Sequence, residues 1–301
     1  MFDQLRQRFF SEAGKNKPVQ VEPLQPSQVG ELNLNWTSHF NTPALREHLE
    51  EFPGLSLRVN GHSDYIVGDN WRRRSEIGQV TETRTRYQRT ALVEGLLDEF
   101  ARRGYRLVVL GHDEHTDHSE FYADAGFEEI ERIVYYEKPD MLLRPPTDFP
   151  PVKMEVYRHT PAQTKDLLAA DNASFPWLWW NSRAELDYYQ DQEGVTIYIA
   201  YRDKAEGGRE PVGYFGFTLY DRWAHLDRLA VIPGLQGQRV GAYQLSYAIA
   251  LMEQKGARRV TLSTQLNNTR SQALYEGFGF QRVKSLEYNL VGKWLQAAPP
   301  A

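Results

Sequence analysis

Proline decides how this chain can be divided. Between Lys138 and Lys153 the segment KPDMLLRPPTDFPPVK carries five prolines, which supply no ladder donor and push the residues before them out of helix. No helix or interior strand runs easily through such a stretch. Two domains are therefore expected, 1–143 and 152–301, with a Pro-rich linker at 144–151. The same order of elements recurs on both sides: a long amphipathic helix, a short apolar strand, a polar helix ending in Tyr-x-x-x-Gly-Phe, and a closing strand. LVEGLLDEFARRGYRLVVLG sets Leu92, Val93, Leu96, Leu97 and Phe100 at helical spacing, and YQLSYAIALMEQKGARRVTLS does so with Leu245, Ala248, Ile249 and Met252. Gly104 aligns with Gly256 and, after one inserted residue, Gly126 with Gly279. The matched endings Tyr122 to Phe127 and Tyr275 to Phe280 favour a duplication over a shared α/β rhythm.

The bulk composition narrows the chemistry. A net charge of −5 gives no whole-protein attraction for nucleic acid or an anionic membrane. With no cysteine, thiolate nucleophiles and Cys-based metal sites are excluded. The start of the sequence, MFDQLRQRFFSEAGKNK, is interrupted by charge and has no apolar run of the signal-peptide kind. No later stretch reaches the apolar length of a membrane span. A cytoplasmic protein is the expectation.

In the second half strands are expected at Met154 to Tyr157, Thr196 to Tyr201, Gly213 to Leu219 and Leu226 to Val231, with a helix from Pro161. A long helix, a strand at Arg259 to Ser263, a polar helix from about Asn268, and strands around Phe280 to Val283 and Leu286 to Leu290 complete a mixed α/β sheet. The chemistry concentrates in LDRLAVIPGLQGQRVGAYQL, where a strand, a proline-bounded turn, Gly237, Gly241 and a helix start lie close together. Unpaired N–H groups at a helix N-terminus favour an anion, and a glycine lets it approach the backbone. A simple helix cap is the competing reading.

These residues resemble the GNAT superfamily of N-acetyltransferases. Its Gln/Arg-x-x-Gly-x-Gly/Ala loop is similar to Gln236-Gly237-Gln238-Arg239-Val240-Gly241-Ala242, and it follows Leu229-Ala230-Val231-Ile232-Pro233. The family's Asn-x-x-Ala/Ser-x-x-Leu-Tyr-x-x-x-Gly-Phe matches Asn268, Ser271, Leu274, Tyr275, Gly279 and Phe280. One departure is Arg239, which stands where the family has the first loop glycine. The resemblance implies a tandem of two GNAT-like domains, each a mixed, mostly antiparallel sheet flanked by helices, the first degenerate.

It also implies acetyl-CoA as co-substrate. The backbone of Leu229, Ala230 and Val231 would line the pantetheine arm and polarise the thioester, the amides from Gln236 to Ala242 would hold the diphosphate, and Asn268 would touch the arm. Tyr275 would donate a proton to the departing thiolate, with packing against Phe280 as the plain alternative. His225 and Asp227, two apart on a strand, share a face from which either could take the amine's proton. An exposed polar strand face is the equal alternative. The acceptor is an amine, on a small molecule or a peptide. Trp177, Trp179 and Trp180 fall where the family builds its acceptor site, although core packing is the favoured role for such a cluster.

The first half keeps the scaffold without the loop. In the alignment Gln236–Ala242 falls on 84–90, with Thr85 at the place of Gly237 and Arg89 at that of Gly241. The run His112, Asp113, His115, Asp117 and His118 invites a metal, but no ligand spacing stands out and a solvated loop entering a polar helix is preferred. Trp71 to Arg74 with Arg84, Arg86 and Arg89 is read as a solvated sheet face rather than an anion or RNA site. No metal is expected. Two other readings stay open: an acyl-CoA binder without turnover whose first half is an interaction or regulatory module, and an aminoacyl-tRNA-dependent transferase, which the net charge does not favour.

Overall fold

The apolar runs condense into sheets. In the computed structural model, which describes residues 19–142 and 150–297, the chain forms two compact units. The first holds the described residues up to Trp71, then Ser75–Phe127 and 292–297; the second holds Arg72–Arg74 and the described part of Glu128–Val291. Of the expected linker, 144–149 lies outside the described residues.

In the first unit β1 (Val21–Pro23), β2 (Ser56–Val59), β3 (Tyr65–Asn70) and β4 (Ile77–Arg84) pair antiparallel in sequence order. Strand β5 (Leu107–Leu110) adds parallel to β4, and Gly292–Trp294 adds antiparallel to β5. Helices α1 (Thr42–Glu51), α2 (Arg89–Arg102) and α3 (His112–Asp124) complete this unit. The second unit follows the same order. Strands β7 (Val152–Val156), β8 (Val195–Asp203), β9 (Arg209–Tyr220) and β10 (Trp223–Val231) are antiparallel, β11 (Arg259–Gln265) is parallel to β10, and β6 (Glu128–Lys138) is antiparallel to β11.

The sixth strand of each unit thus comes from the other half of the sequence. This departs from a linear division at 143 and 152: Glu128–Lys138 joins the second unit and 292–297 the first. The two segments occupy corresponding places, beside β11 and β5, and an apolar strand suits either edge, so local sequence does not fix which it covers.

Helices α4 (Pro161–Ser174) and α5 (Arg183–Gln190) cover one face of the second sheet, where Leu167, Ala170 and Leu186 meet Ile197, Ile199 and Tyr214. Helices α6 (Val240–Gln254) and α7 (Thr269–Gly277) cover the other, where Leu245, Ala248, Ile249 and Met252 meet Phe215, Phe217 and Leu226. The repeat glycines serve the same purpose in both units. Gly104 and Gly256, just beyond α2 and α6, take φ +84 and +102, and Gly126 and Gly279, just beyond α3 and α7, take +81 and +84; a side chain disfavours these left-handed endings.

Two expectations in the first half need correction. The histidine run is not a loop leading into a helix: α3 begins at His112, and Glu114 inside it is only 6% exposed. Nor is Trp71 to Arg74 a solvated face. It forms a tight 3₁₀ turn with Arg72 and Arg73 at φ 52 and 51, and Arg74 is buried, since guanidiniums that find ring faces and carbonyl acceptors can leave water.

Candidate active site

The site exists because β10 leaves β11. Their parallel ladder runs from Trp223 opposite Arg259 to Leu226 opposite Leu262 and stops there, although β10 continues to Val231 and β11 to Gln265. Leu226 pairs with Phe217 and Arg228 with Gly216, so Asp227 is an extra residue in the strand, a β-bulge. The bulge re-aims the rest of the strand. Leu226 packs with α6 in one core, whereas Ala230 packs with α4 and α5 in the other.

A cavity of about 300 Å3 opens at the divergence, lined by His225, Asp227, Leu229, Asn268 and Tyr275 among others. His225 and Asp227 do share a side: His225 lies opposite Thr218 on β9, and the Thr218 hydroxyl donates to Asp227 Oδ2 at 2.8 Å. The Tyr189 hydroxyl, from α5, donates to the same oxygen at 2.5 Å. Burial raises the Asp227 carboxyl to about 6, against the lowering effect of the Tyr189 and Thr218 hydrogen bonds. Burial also pushes His225 down to about 4, and its Nδ1 lies 2.8 Å from the Thr261 hydroxyl. Tyr275 is 6% exposed, packs against Phe280 and Tyr136, and is pushed up to about 12 by burial. Asn268 caps α7, its Oδ1 accepting from Ser271 N at 3.2 Å while its Nδ2 donates to Thr264.

The backbone of β10 supplies donors. Ile232 N donates to Val212 O, so Ala230 and Tyr214 form the next hydrogen-bonded pair of this antiparallel ladder, and Leu229 and Val231 turn their N–H and C=O groups toward the gap left by β11. The Val231 carbonyl accepts from Gln236 Nε2 at 3.0 Å, and Gln236 Oε1 accepts from Arg270. Beyond a turn at Pro233–Leu235, Gly237 takes φ 81 and Arg239 takes φ 63. Arg239 therefore keeps the left-handed backbone that a glycine adopts without strain. Among the described residues the amides of Gly237, Val240, Gly241 and Ala242 meet no acceptor. They cluster at the N-terminus of α6, beside the cavity rather than in its lining. Ala230, by contrast, buries its methyl in the core.

A buried ion pair holds the aromatic loop in place. Asp171, fully buried on α4, accepts from Arg228, from the Tyr214 hydroxyl and from Asn181 N. Arg228 also donates to the Trp179 carbonyl at 2.7 Å and lies 3.9 Å from the Phe175 ring centre. The tryptophans are consequently not core. Trp177, Trp179 and Trp180 sit half-exposed in and after a 3₁₀ turn, Trp179 lining the cavity and Arg74 lying over Trp177 and Trp180. Backbone carbonyls and Arg74 engage this segment, which leaves its rings at the rim. Tyr189, Thr218, Glu185 and Arg72 were not legible as site residues, because nothing local in the sequence says which face of α5 or which turn reaches β10.

The first unit shows the corresponding position filled. There β4 and β5 part after Val80 opposite Leu110, and Thr81 is the extra residue, so Thr83 corresponds to Leu229. Thr83 N donates to Glu114 Oε2 at 2.8 Å, and Glu114 Oε1 accepts from Arg89 at 2.7 Å and from the Tyr122 hydroxyl at 2.6 Å. The segment between β4 and α2 is only 85–88, against 232–239 between β10 and α6. Among the described residues no group of three His, Asp or Glu side chains is placed to hold a metal ion, and no helix is long and apolar enough to cross a membrane.

Two mixed sheets flanked by helices, each with a parallel pair diverging beside a helix N-terminus, define a tandem acyltransferase-type fold. Residues 164–280 match the Acetyltransferase (GNAT) family, and this part of the chain is a GNAT acetyltransferase domain. A stretch of 84 residues is 37% identical to the spore coat polysaccharide biosynthesis protein SpsD of Bacillus subtilis, covering 28% of this chain and 29% of that one. The chain thus matches under a third of that relative's length. Among solved structures, a GCN5-related N-acetyltransferase from Sphaerobacter thermophilus superposes with a TM-score of 0.57 at 15% identity, over 95% of this chain and 98% of that one. A tandem GNAT protein from the clavulanic acid biosynthesis pathway does so with a TM-score of 0.53 at 13% identity, over 93% and 100%. At these identities both likenesses show the GNAT fold, and the second structure is a tandem one.

Proposed function

We propose that the second unit is an acyl-CoA-dependent N-acyltransferase that moves acetyl from acetyl-CoA to a primary amine of a small molecule or peptide. The observation that carries this reading is the Leu229 N–H aimed into the gap between β10 and β11, because the corresponding Thr83 N–H in the first unit already holds a carboxylate oxygen. A donor so placed stabilises the oxyanion that forms when an amine attacks a thioester. The amides of Gly237, Val240, Gly241 and Ala242 would take the diphosphate at the helix N-terminus. As the C–N bond forms, the amine loses a proton to Asp227, whose carboxyl near 6 makes it a stronger base than His225 near 4. As the C–S bond breaks, the thiolate takes a proton from Tyr275, which its raised affinity keeps protonated until then.

The test is thiol release from acetyl-CoA with a panel of small amines, amino sugars and peptide N-termini, using wild type and Asp227→Asn. An acceptor whose turnover falls at least about tenfold in the variant supports the reading, since general-base groups contribute about that much or more. Tight binding of acetyl-CoA with no acceptor in any class would make the protein a binder instead.

A further inference from the structure

The catalytic carboxylate proposed above is held from behind by a tyrosine that no sequence motif marks. Tyr189 stands on α5, and its hydroxyl reaches Asp227 Oδ2 at 2.5 Å. Space for it is built in: a Cβ on Gly216, the residue opposite Arg228 across the bulge, would lie 2.8 Å from the Tyr189 hydroxyl oxygen. Thr218 donates to the same Oδ2, so both side-chain hydrogen bonds fall on one oxygen of a carboxylate that lines the cavity. We propose that Tyr189 is the positioning residue of Asp227, fixing which carboxylate oxygen faces the acceptor and holding the group in its ionised, proton-accepting form down to lower pH.

This rests on the acyltransferase reading only for its kinetic readout. A carboxylate buried beside the sheet loses hydration and needs donors to stay charged, and charge-assisted hydrogen bonds are the strong kind. After the hydroxyls of Tyr189 and Thr218, the Asp227 backbone N–H and the Arg228 charge also favour the ionised form. On its own strand His225 stays neutral above about 4, and Arg228 is engaged by Asp171 of α4 and by the hydroxyl of Tyr214, which burial keeps protonated. On α5 Glu185 lies 3.8 Å from Arg72 of the 72–74 turn. Toward α7 and the closing strand at Tyr288–Trp294, burial raises Tyr275 and Tyr288, which keeps both protonated while Asp227 titrates.

The sign of the effect is fixed by which form the donor favours. Tyr189→Phe removes a donor to the ionised form, so the carboxyl's proton affinity rises and the acid limb of kcat/KM moves to higher pH. Loss of a hydrogen bond to a charged group corresponds to an upward shift of about one pH unit, and above the limb kcat should fall more than KM for acetyl-CoA changes, because the carboxylate loses its fixed orientation. Thr218→Val should move the limb in the same direction, and Gly216→Ala should do so by crowding the Tyr189 hydroxyl. Carbon-13 titration of the Asp227 carboxyl, assigned with Asp227→Asn, reads the same shift without any acceptor. A limb and a carboxyl titration that both stay where wild type has them in a folded Tyr189→Phe protein would overturn the proposal. A shifted titration in a protein that acylates nothing would uphold the coupling and refute the acyltransferase reading instead.

Discussion

Replacing Gly241 by Asp should separate anion binding from folding. A Cβ at this position meets Leu274 Cδ2 and Val231 Cγ2 at 3.5 Å, ordinary contact, so the fold accepts a side chain. The residue is the second of α6, where an acidic group near the exposed amides stabilises a helix by about 0.3–1 kcal/mol. The same carboxylate would face the diphosphate of acetyl-CoA. Two unit charges 4 Å apart repel by about 4 kcal/mol at a near-surface dielectric. If side-chain movement and solvent relieve half of that, about 2 kcal/mol remains, which is roughly 30-fold in Kd. Calorimetric titration with acetyl-CoA reads the affinity, and thermal unfolding should give a Tm at or above wild type. Gly241→Asn keeps the shape without the charge and should lose much less. Raising the salt should narrow the gap between Asp and Asn, because repulsion across an open loop is screened. Equal affinity of the Asp and Asn variants, both folded, would refute the diphosphate assignment.

Tyr275→Phe should lower kcat more than it raises KM for acetyl-CoA, since a proton donor to the thiolate acts mainly in the transition state; wild-type turnover in steady-state kinetics would make Tyr275 a packing residue. Titration of the whole chain should give one acetyl-CoA per molecule, because Arg89 and Glu114 fill the first unit's gap and its loop is short; two sites would contradict this. A fragment beginning near Pro146 is not a fair host for that titration, as it lacks β6 and leaves β11 without its antiparallel neighbour, whereas Gly241→Asp in the full chain should weaken that single site without revealing a second. Asp171→Ala should destabilise the protein by about 3–5 kcal/mol in chemical denaturation, because it strands the buried guanidinium of Arg228, 8% exposed, without its partner; a loss under about 1 kcal/mol would show that water reaches the site.

Local pattern carried much of this protein. The spacing of Leu92 to Phe100 and of Leu245 to Met252 determined α2 and α6, and Gly104, Gly256, Gly126 and Gly279 determined how four helices end, because helical periodicity and left-handed caps act within a few residues. The loop from Gln236 to Ala242 was equally legible, since a turn, glycines and a helix start are consecutive, and even Arg239 keeps a glycine-like backbone. Tertiary structure decided the rest. The exchange of Glu128–Lys138 and Gly292–Trp294 depends on which sheet edge each strand meets, and either edge accepts an apolar strand. The bulge that aims Asp227 shows only in its register against β9. Tyr189, Arg228 with Asp171, and Arg89 with Glu114 are bonds between side chains far apart in sequence, and their partners exist only once the sheets have formed. Sequence periodicity specifies which face of an element is buried, whereas the partner of a buried charge is specified by the packing around it.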